Sequence, residues 1–164
     1  SIARALVLEP EVLILDETLS ALDQVEQSKL LALFADINRR RSITCIYISH
    51  DLAMVRRICD RIGVMYLGKV VELADNQSLF SKAGHPYTRA LLSAVPVLEK
   101  KPFKESVYLL DGEPPDPINI SAGCSFRTRC PFAIAQCAEE EPSLDVYEEN
   151  RSAAACHVGY SKLP

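Results

Sequence analysis

The sequence predicts an α/β fold: a partial parallel sheet with flanking helices, followed by a cysteine-rich C-terminal extension. Two short apolar runs near the start of the chain are separated by a long segment with helical periodicity. Prolines concentrate from residue 96 onward, and four of the six cysteines lie in the last quarter of the 164 residues. This length suits one ordinary domain or two small ones.

The first part of the chain alternates predicted strands and helices, which favours a mostly parallel sheet. Residues 12–15 form a continuous apolar run, as expected for a strand that is covered on both faces. Residues 22–40 have helical spacing, with acids near the start and arginines near the end, as the helix dipole favours. Residues 43–49 are predicted as a second buried strand, and a short helix follows at 52–60.

A hairpin, a helical extension and a linker are predicted next. The hairpin has strands at 62–67 and 70–73, with its turn at Gly68 and Lys69. Residues 76–95 are predicted to be helical in two pieces. Five closely spaced prolines then indicate an extended linker over 96–121, ahead of the cysteine-rich tail.

Composition argues against several classes of function. The net charge of −4 offers no electrostatic case for binding nucleic acid. No apolar stretch approaches the roughly 18 residues typical of a membrane span, and the first residues lack the apolar core of a signal peptide. The chain starts without Met, inside a predicted helix, which suggests the start of a fragment.

Polar side chains follow both predicted strands of the parallel sheet. Asp16 and Glu17 end the first strand, and His50 follows the second. Ligands of open parallel sheets bind outside the carboxyl ends of the strands, so these groups are expected to meet where a ligand would sit. The alternative is an acidic pair that simply ends a strand at solvent, beside a structural histidine. The combination of the two strand ends favours a nucleotide site.

A glycine-rich loop that could cradle phosphates is missing, because no glycine precedes Gly63. The 164 residues alone are therefore not expected to hydrolyse a nucleotide.

Four cysteines of the tail form a candidate metal site. They are Cys124, Cys130, Cys137 and Cys156. Four thiolates satisfy either a [4Fe–4S] cluster or a tetrahedral Zn²⁺ ion, although none of the gaps is the short Cys-x₂-Cys knuckle of zinc ribbons. Empty thiols and disulfides are the remaining alternatives. Without a secretion signal, clustered cysteines favour metal over disulfides.

The first 74 residues resemble the ATP-binding subunit of ABC transporters, from just after its signature motif onward. Residues 12–17 resemble the Walker B strand, residues 20–23 (Ser-Ala-Leu-Asp) the D-loop, and His50 the switch histidine. The Walker A loop, the Q-loop and the signature motif would all lie upstream of Ser1. The predicted fold is therefore part of a P-loop-type sheet.

The resemblance implies a role for each matched residue. Asp16 would hold Mg²⁺ through water, and Glu17 would act as general base or position the attacking water. His50 would contact the γ-phosphate of ATP. Ser20 and Asp23 would contact a facing subunit across a dimer interface.

The tail resembles the C-terminal extension of oligopeptide and dipeptide importer ATPases. The resemblance lies in residues 84–96, which begin Gly-His-Pro-Tyr-Thr-Arg, and in residues 123–133, followed by Cys137 and Cys156. In that family the cysteine motif is associated with an iron–sulfur cluster.

Three regions are therefore expected. Residues 1–75 would be the C-terminal half of the nucleotide-binding domain, 76–121 a helical extension and linker, and 122–164 the cysteine-rich domain.

The resemblance also implies a function, partners and a location. The complete subunit would be an ATPase that drives import of di- or oligopeptides. Its partners would be membrane permeases, a second ATPase subunit and, indirectly, a solute-binding protein, at the cytoplasmic face of the membrane. The alternatives are a related nickel importer, or an inert fragment that acts as a metal-bound regulatory or subunit-binding module.

Overall fold

The computed structural model describes residues 2–19, 22–94, 122–148, 152–159 and 163. The chain divides into two compact units, Ser1–Cys59 and Asp60–Pro164. The predicted linker at 96–121 lies outside the described residues. The three functional regions expected from the sequence stay a prediction, and the division into units falls earlier than residue 75.

In the residues that the structure describes, the first unit has two parallel strands and three helices. Its elements, in chain order, are α1 (Ile2–Leu6), β1 (Val12–Asp16), α2 (Gln24–Arg41), β2 (Thr44–Ile48) and α3 (Leu52–Ile58). Strands β1 and β2 pair in parallel, with Val12 opposite Thr44 and Asp16 opposite Ile48. The predicted order of strand, helix, strand and helix is confirmed.

The β1–β2 sheet is covered on one face only. Leu13, Leu15 and Ile43 are buried, and Phe34 and Ile37 of α2 pack against them. The opposite face is exposed, with Val12 at 51%, Ile14 at 62%, Ile46 at 49% and Ile48 at 48% exposure. The predictions that the first strand is covered on both faces and that the second is buried are therefore wrong for the described residues, since the helices of this unit cover one side.

The second unit is built on an antiparallel sheet with the order β3-β4-β6-β5. Its strands are β3 (Arg61–Tyr66), β4 (Lys69–Asp75), β5 (Asp145–Glu148) and β6 (Ser152–Ala154). Its helices are α4 (Asn76–Lys82), α5 (Pro86–Ala94) and α6 (Gln136–Glu139), with a 3₁₀ turn at Arg127–Arg129. The hairpin and the two helical pieces after it are confirmed.

The hairpin turn lies one residue earlier than predicted. Leu67 and Gly68 have φ angles of 45° and 78°, which is the geometry of the two-residue turns that match the strand twist. The hairpin also pairs with the tail, because β4 lies beside β6. The sheet that contains the hairpin is thus antiparallel. The parallel pairing predicted for the early strands is seen, within the described ranges, between β1 and β2.

Aromatic side chains form part of the core of the second unit. Phe126 is fully buried and packs edge-on against Tyr66 at 5.2 Å between ring centroids. The rings of Tyr87 and His85 lie 5.4 Å and 5.6 Å from it. Among the helices that the structure describes, none has the length and apolar character needed to cross a membrane.

Candidate functional site

The two parallel strands bring Glu17 and His50 together, as predicted from the sequence. Glu17 follows β1, and its backbone N–H donates to the carbonyl of Ile48 at the end of β2 (3.0 Å). The side chains then meet, with 3.0 Å between Oε1 of Glu17 and Nδ1 of His50. The predicted base and the predicted phosphate contact therefore form one hydrogen-bonded pair at the edge of the sheet.

Glu17 has a strained backbone conformation. Its φ of 45° lies in the left-handed region, which residues other than glycine adopt infrequently. Such strain persists where the surrounding structure imposes it, and it is concentrated at functional sites. Here the hydrogen bond to Ile48 holds the strained residue in place.

The loop that carries His50 is held by local hydrogen bonds. The N–H of Asp51 donates to Ser49 Oγ, and Asp51 Oδ1 accepts the N–H of Met54, both at 3.0 Å. Asp51 thereby caps the N-terminus of α3. His50 is consequently presented between a strand end and a capped helix start.

A shallow pocket surrounds the Glu17–His50 pair. Its lining residues are Glu17, Gln27, Tyr47, Ser49, His50, Asp51 and Met54. Gln27 also donates from Nε2 to the carbonyl of Leu19 at 2.9 Å, beside the segment that resembles the D-loop. Gln27 is not predictable as a site residue, since a glutamine on a helix carries no local signal of such a contact.

The other predicted nucleotide-site residues have different surroundings. Asp16 is exposed as the last residue of β1. Asp23 caps α2, with Oδ1 accepting the N–H groups of Val25 and Glu26 at 2.9 Å each. Ser20 lies outside the described residues. The roles of Asp16, Ser20 and Asp23 toward Mg²⁺ or a facing subunit stay predictions.

The four tail cysteines lie in the second unit as free thiols. The N–H of Cys124 donates to the carbonyl of Cys137 at 2.9 Å. Burial, together with the neighbouring thiols of Cys156, Cys124 and Cys137, raises the pKa of Cys130 to about 12. The four side chains are therefore close enough to influence one another electrostatically.

Backbone N–H groups near three of the sulfur atoms partly offset the rise in pKa that burial causes. They belong to Phe126 and Arg127 near Cys124, to Phe132 near Cys130, and to Val158 and Gly159 near Cys156. Hydrogen bonds of this kind tune the sulfurs of iron–sulfur sites. Within the described ranges, however, no three His, Cys, Asp or Glu side chains are already arranged to hold a metal ion. The donor types fit a metal, whereas the side-chain positions do not form a ready site.

A carboxylate and a histidine paired at the carboxyl ends of parallel strands define a class of site that is suited to phosphoryl transfer. Comparison with known proteins adds which family part of the chain resembles. Residues 71–137 match the family model described as the C-terminal region of oligopeptide/dipeptide transporters. This match confirms the resemblance of the tail to that family as far as residue 137.

Proteins that are similar to most of the chain are named as ATP-binding proteins of peptide transport. The oligopeptide transport ATP-binding protein OppF of Escherichia coli is 48% identical over 148 residues, covering 88% of this chain and 43% of the relative. A Bacillus subtilis protein provisionally named as an oligopeptide transport ATP-binding protein is 44% identical over 158 residues, covering 96% and 48%. A Sinorhizobium fredii protein, provisionally named as a peptide ABC transporter ATP-binding protein, is 46% identical over 157 residues, covering 96% and 44%. The chain thus spans less than half the length of these curated relatives.

Proposed function

We propose that this chain supplies the catalytic carboxylate and histidine of an ATP-hydrolysing subunit that drives import of di- or oligopeptides. The observation that carries the proposal is the contact between Glu17 and His50 at the carboxyl ends of two parallel strands. The names of the relatives support peptides over nickel as the cargo class. Their ATP-binding designations support an ATPase over an inert module.

Each residue has one task in the proposed reaction. The Glu17 carboxylate orients the attacking water and accepts its proton, and His50 Nδ1 stays hydrogen-bonded to that carboxylate. The other ring nitrogen, Nε2, then stabilises negative charge on the γ-phosphate. Asp16 would hold Mg²⁺ through water, and that ion would neutralise charge on the phosphates. Positioning and electrostatics thus supply most of the catalysis.

The exposed face of the β1–β2 sheet supports a larger domain. Parallel sheets are normally covered on both faces, yet Val12, Ile14, Ile46 and Ile48 are about half exposed here. More than half of each relative's length lies outside the match. In the proposal, the remaining part of the nucleotide-binding domain covers this face and supplies the phosphate-binding loop.

The proposed assembly follows from the same family. Ser20 and Asp23 face a second ATPase subunit, and the subunit docks on membrane permeases at the cytoplasmic face. A solute-binding protein delivers the peptide on the other side. Asp23 serves the dimer contact from the start of α2, which its carboxylate caps.

The four cysteines of the tail hold a [4Fe–4S] cluster in this proposal, and zinc is the alternative metal. The support is their mutual electrostatic influence and the nearby backbone N–H groups that act to lower the pKa of Cys124, Cys130 and Cys156. Since the thiolate is the form that binds metal, binding would release protons from these three thiols, whose pKa burial has raised. A bound cluster would link the loops of a tail too small for a large core of its own.

Steady-state phosphate release by the full-length protein tests the catalytic proposal. Glu17→Gln should lower the rate by at least about 100-fold, as expected for loss of a general base, while ATP stays bound. Glu26→Gln is the matched control, because Glu26 is an exposed glutamate on α2 paired with Lys29. Normal hydrolysis by Glu17→Gln would contradict the assignment. The 164-residue chain alone should show no micromolar affinity for ATP.

Iron and acid-labile sulfide assays on anaerobically purified protein test the metal proposal. Iron and sulfide are expected in wild type and not in a variant with serine at the four cysteines. One zinc per chain without iron would overturn the cluster in favour of zinc.

A further inference from the structure

A buried carboxylate on β4 holds the turn that precedes α5. Glu72 is fully buried, and its two carboxylate oxygens accept the N–H groups of Gly84 (2.6 Å) and His85 (3.0 Å). Tyr147 on β5 donates its hydroxyl to the same carboxylate at 2.8 Å. Three segments that are far apart in sequence are therefore joined at one side chain.

The His85 ring continues this network toward Cys156. The ring is 1% exposed, and its Nδ1 accepts the N–H of Tyr87 at 3.0 Å. Its other nitrogen, Nε2, therefore carries the proton that is donated to the backbone carbonyl of Ala155. Ala155 immediately precedes Cys156, so the histidine holds the backbone on which this thiol is mounted.

Strand pairing closes the network into a ring. The N–H of Ala155 donates to the carbonyl of Val71 at 2.8 Å, and Glu72 lies opposite Ala154 in the β4–β6 ladder. The path thus runs from β4 through Glu72 to His85, on to Ala155 and back to β4. A closed path of buried hydrogen bonds restricts the position of Cys156 more than the short strand β6 does alone.

The same histidine also contacts the segment with Cys124. Its ring centroid lies 5.6 Å from that of Phe126, and His85 lines one small cavity together with Cys124, Phe126 and Ala155. His85 thus lies beside both the Cys124 and the Cys156 segments.

We propose that His85, held by Glu72, is a positioning residue that sets the relative placement of the Cys124 and Cys156 thiols. His85 binds no metal in this proposal. It acts through Phe126 and the Ala155 carbonyl. The use of that placement for a metal rests on the function proposed above, whereas the placement itself is a property of the metal-free chain.

Alkylation of the metal-free chain by iodoacetamide, read cysteine by cysteine by mass spectrometry, tests the placement. In His85→Asn, the shorter side chain keeps an acceptor near the position of Nδ1 but does not reach Ala155. This variant should speed alkylation of Cys156 about tenfold, the effect expected when one buried hydrogen bond is lost. His85→Gln reaches Ala155 with an N–H group and should restore the wild-type rate within about threefold. Cys45 and Cys59 belong to the first unit and should not change in either variant.

A stability control separates positioning from general loosening. Leu79→Ala creates a cavity at a fully buried position of α4 and removes no hydrogen bond, because a leucine side chain makes none. If Leu79→Ala speeds Cys156 alkylation as much as His85→Asn does, or if the Asn and Gln variants behave alike, the proposal is overturned.

Titration with Co²⁺, followed through thiolate charge-transfer absorption, links the placement to metal binding. His85→Asn should weaken Co²⁺ binding about tenfold relative to wild type and to His85→Gln, by the same lost hydrogen bond. Equal Co²⁺ affinity in all three proteins would contradict positioning. If wild type binds no Co²⁺, the proposed metal site is contradicted but the positioning role of His85 is not. The alkylation rates still decide whether His85 positions the thiols.

Discussion

Glu17 and His50 are exposed, whereas Glu72 and His85 are buried, and this difference determines how each pair acts. The first pair lies in a pocket open to a ligand, with side chains 56% and 77% exposed. The second pair is enclosed by the second unit and satisfies backbone groups. The exposed pair is suited to chemistry and the buried pair to holding the fold.

Acid should destabilise the second unit through His85. Burial lowers the pKa of His85 to about 4 from its usual 6.5, so the unfolded chain binds the proton first as the pH falls. Stability that is present above pH 6.5 is then lost as the pH falls through about 4, by up to about 3 kcal/mol. Urea unfolding of the 164-residue chain at several pH values measures this loss.

The matched variant for this prediction is His85→Gln, which does not titrate. Burial raises the pKa of Glu72, so its effect on the pH dependence of stability has the opposite sign. Both proteins contain Glu72, so this effect cancels in the difference between them. The difference between wild type and His85→Gln should therefore shrink as the pH falls from 6.5 to 4. A constant difference over that range would contradict a buried neutral histidine.

At the scale of elements, the loop that leads into the cysteine region depends on a close backbone approach. Gly123 has a φ of 81°, and a Cβ added there would lie 2.5 Å from the carbonyl oxygen of Cys137. That carbonyl accepts the N–H of Cys124. The turn therefore requires glycine for its conformation and for space.

Gly123→Ala should destabilise the second unit by about 2 kcal/mol or more, from left-handed strain plus the contact with Cys137. Gly159→Ala is the control, because Gly159 has a similar φ of 71° with open space around it. Gly159→Ala should lower the free energy of unfolding only by the backbone strain, about 1 kcal/mol. Equal costs in urea unfolding would show that the approach to Cys137 is unimportant.

The start of α2 combines a local signal with a proposed function. Asp23 accepts two backbone N–H groups, so Asp23→Ala should cost about 1 kcal/mol in the 164-residue chain, and Asp23→Asn much less. Thermal unfolding measures both. If Asp23→Asn nevertheless impairs hydrolysis by the full-length protein, the carboxylate has a role beyond the cap.

At the scale of the whole molecule, one face of the β1–β2 sheet is exposed in this chain and would be covered in the proposed complete domain. Ile14 is 62% exposed, whereas its neighbour Leu13 is 6% exposed. Ile14→Ser should cost less than about 1 kcal/mol in the 164-residue chain but about 2 kcal/mol or more in the full-length protein, where the face would be buried.

Leu13→Ala provides the comparison, since it removes a buried side chain in both proteins and should cost about 2–5 kcal/mol in each. Denaturant unfolding of the two proteins measures both substitutions. A small and equal cost of Ile14→Ser in both would contradict the proposed cover.

Much of the candidate nucleotide site could be predicted because its signals are local. Apolar runs ending in Asp16 and Glu17 or before His50 show where parallel strands stop, and the carboxyl ends of neighbouring parallel strands necessarily share an edge. The hairpin near Gly68 follows from turn geometry in the same way. The left-handed backbone of Glu17 has no such signal, because Ile48, to which its N–H donates, is distant along the chain.

The sequence by itself determined the order of strands and helices, the strand-end residues of the candidate site and the family of the tail, since each rests on neighbours along the chain. Only the tertiary structure decided that β4 pairs with the tail, that one face of the β1–β2 sheet is open, and that His85 lies between two cysteine segments. Glu72 and Tyr147 are 75 residues apart, and no local pattern specifies which partner a buried carboxylate will find. That choice follows from packing the second unit so that its buried polar groups find hydrogen-bond partners.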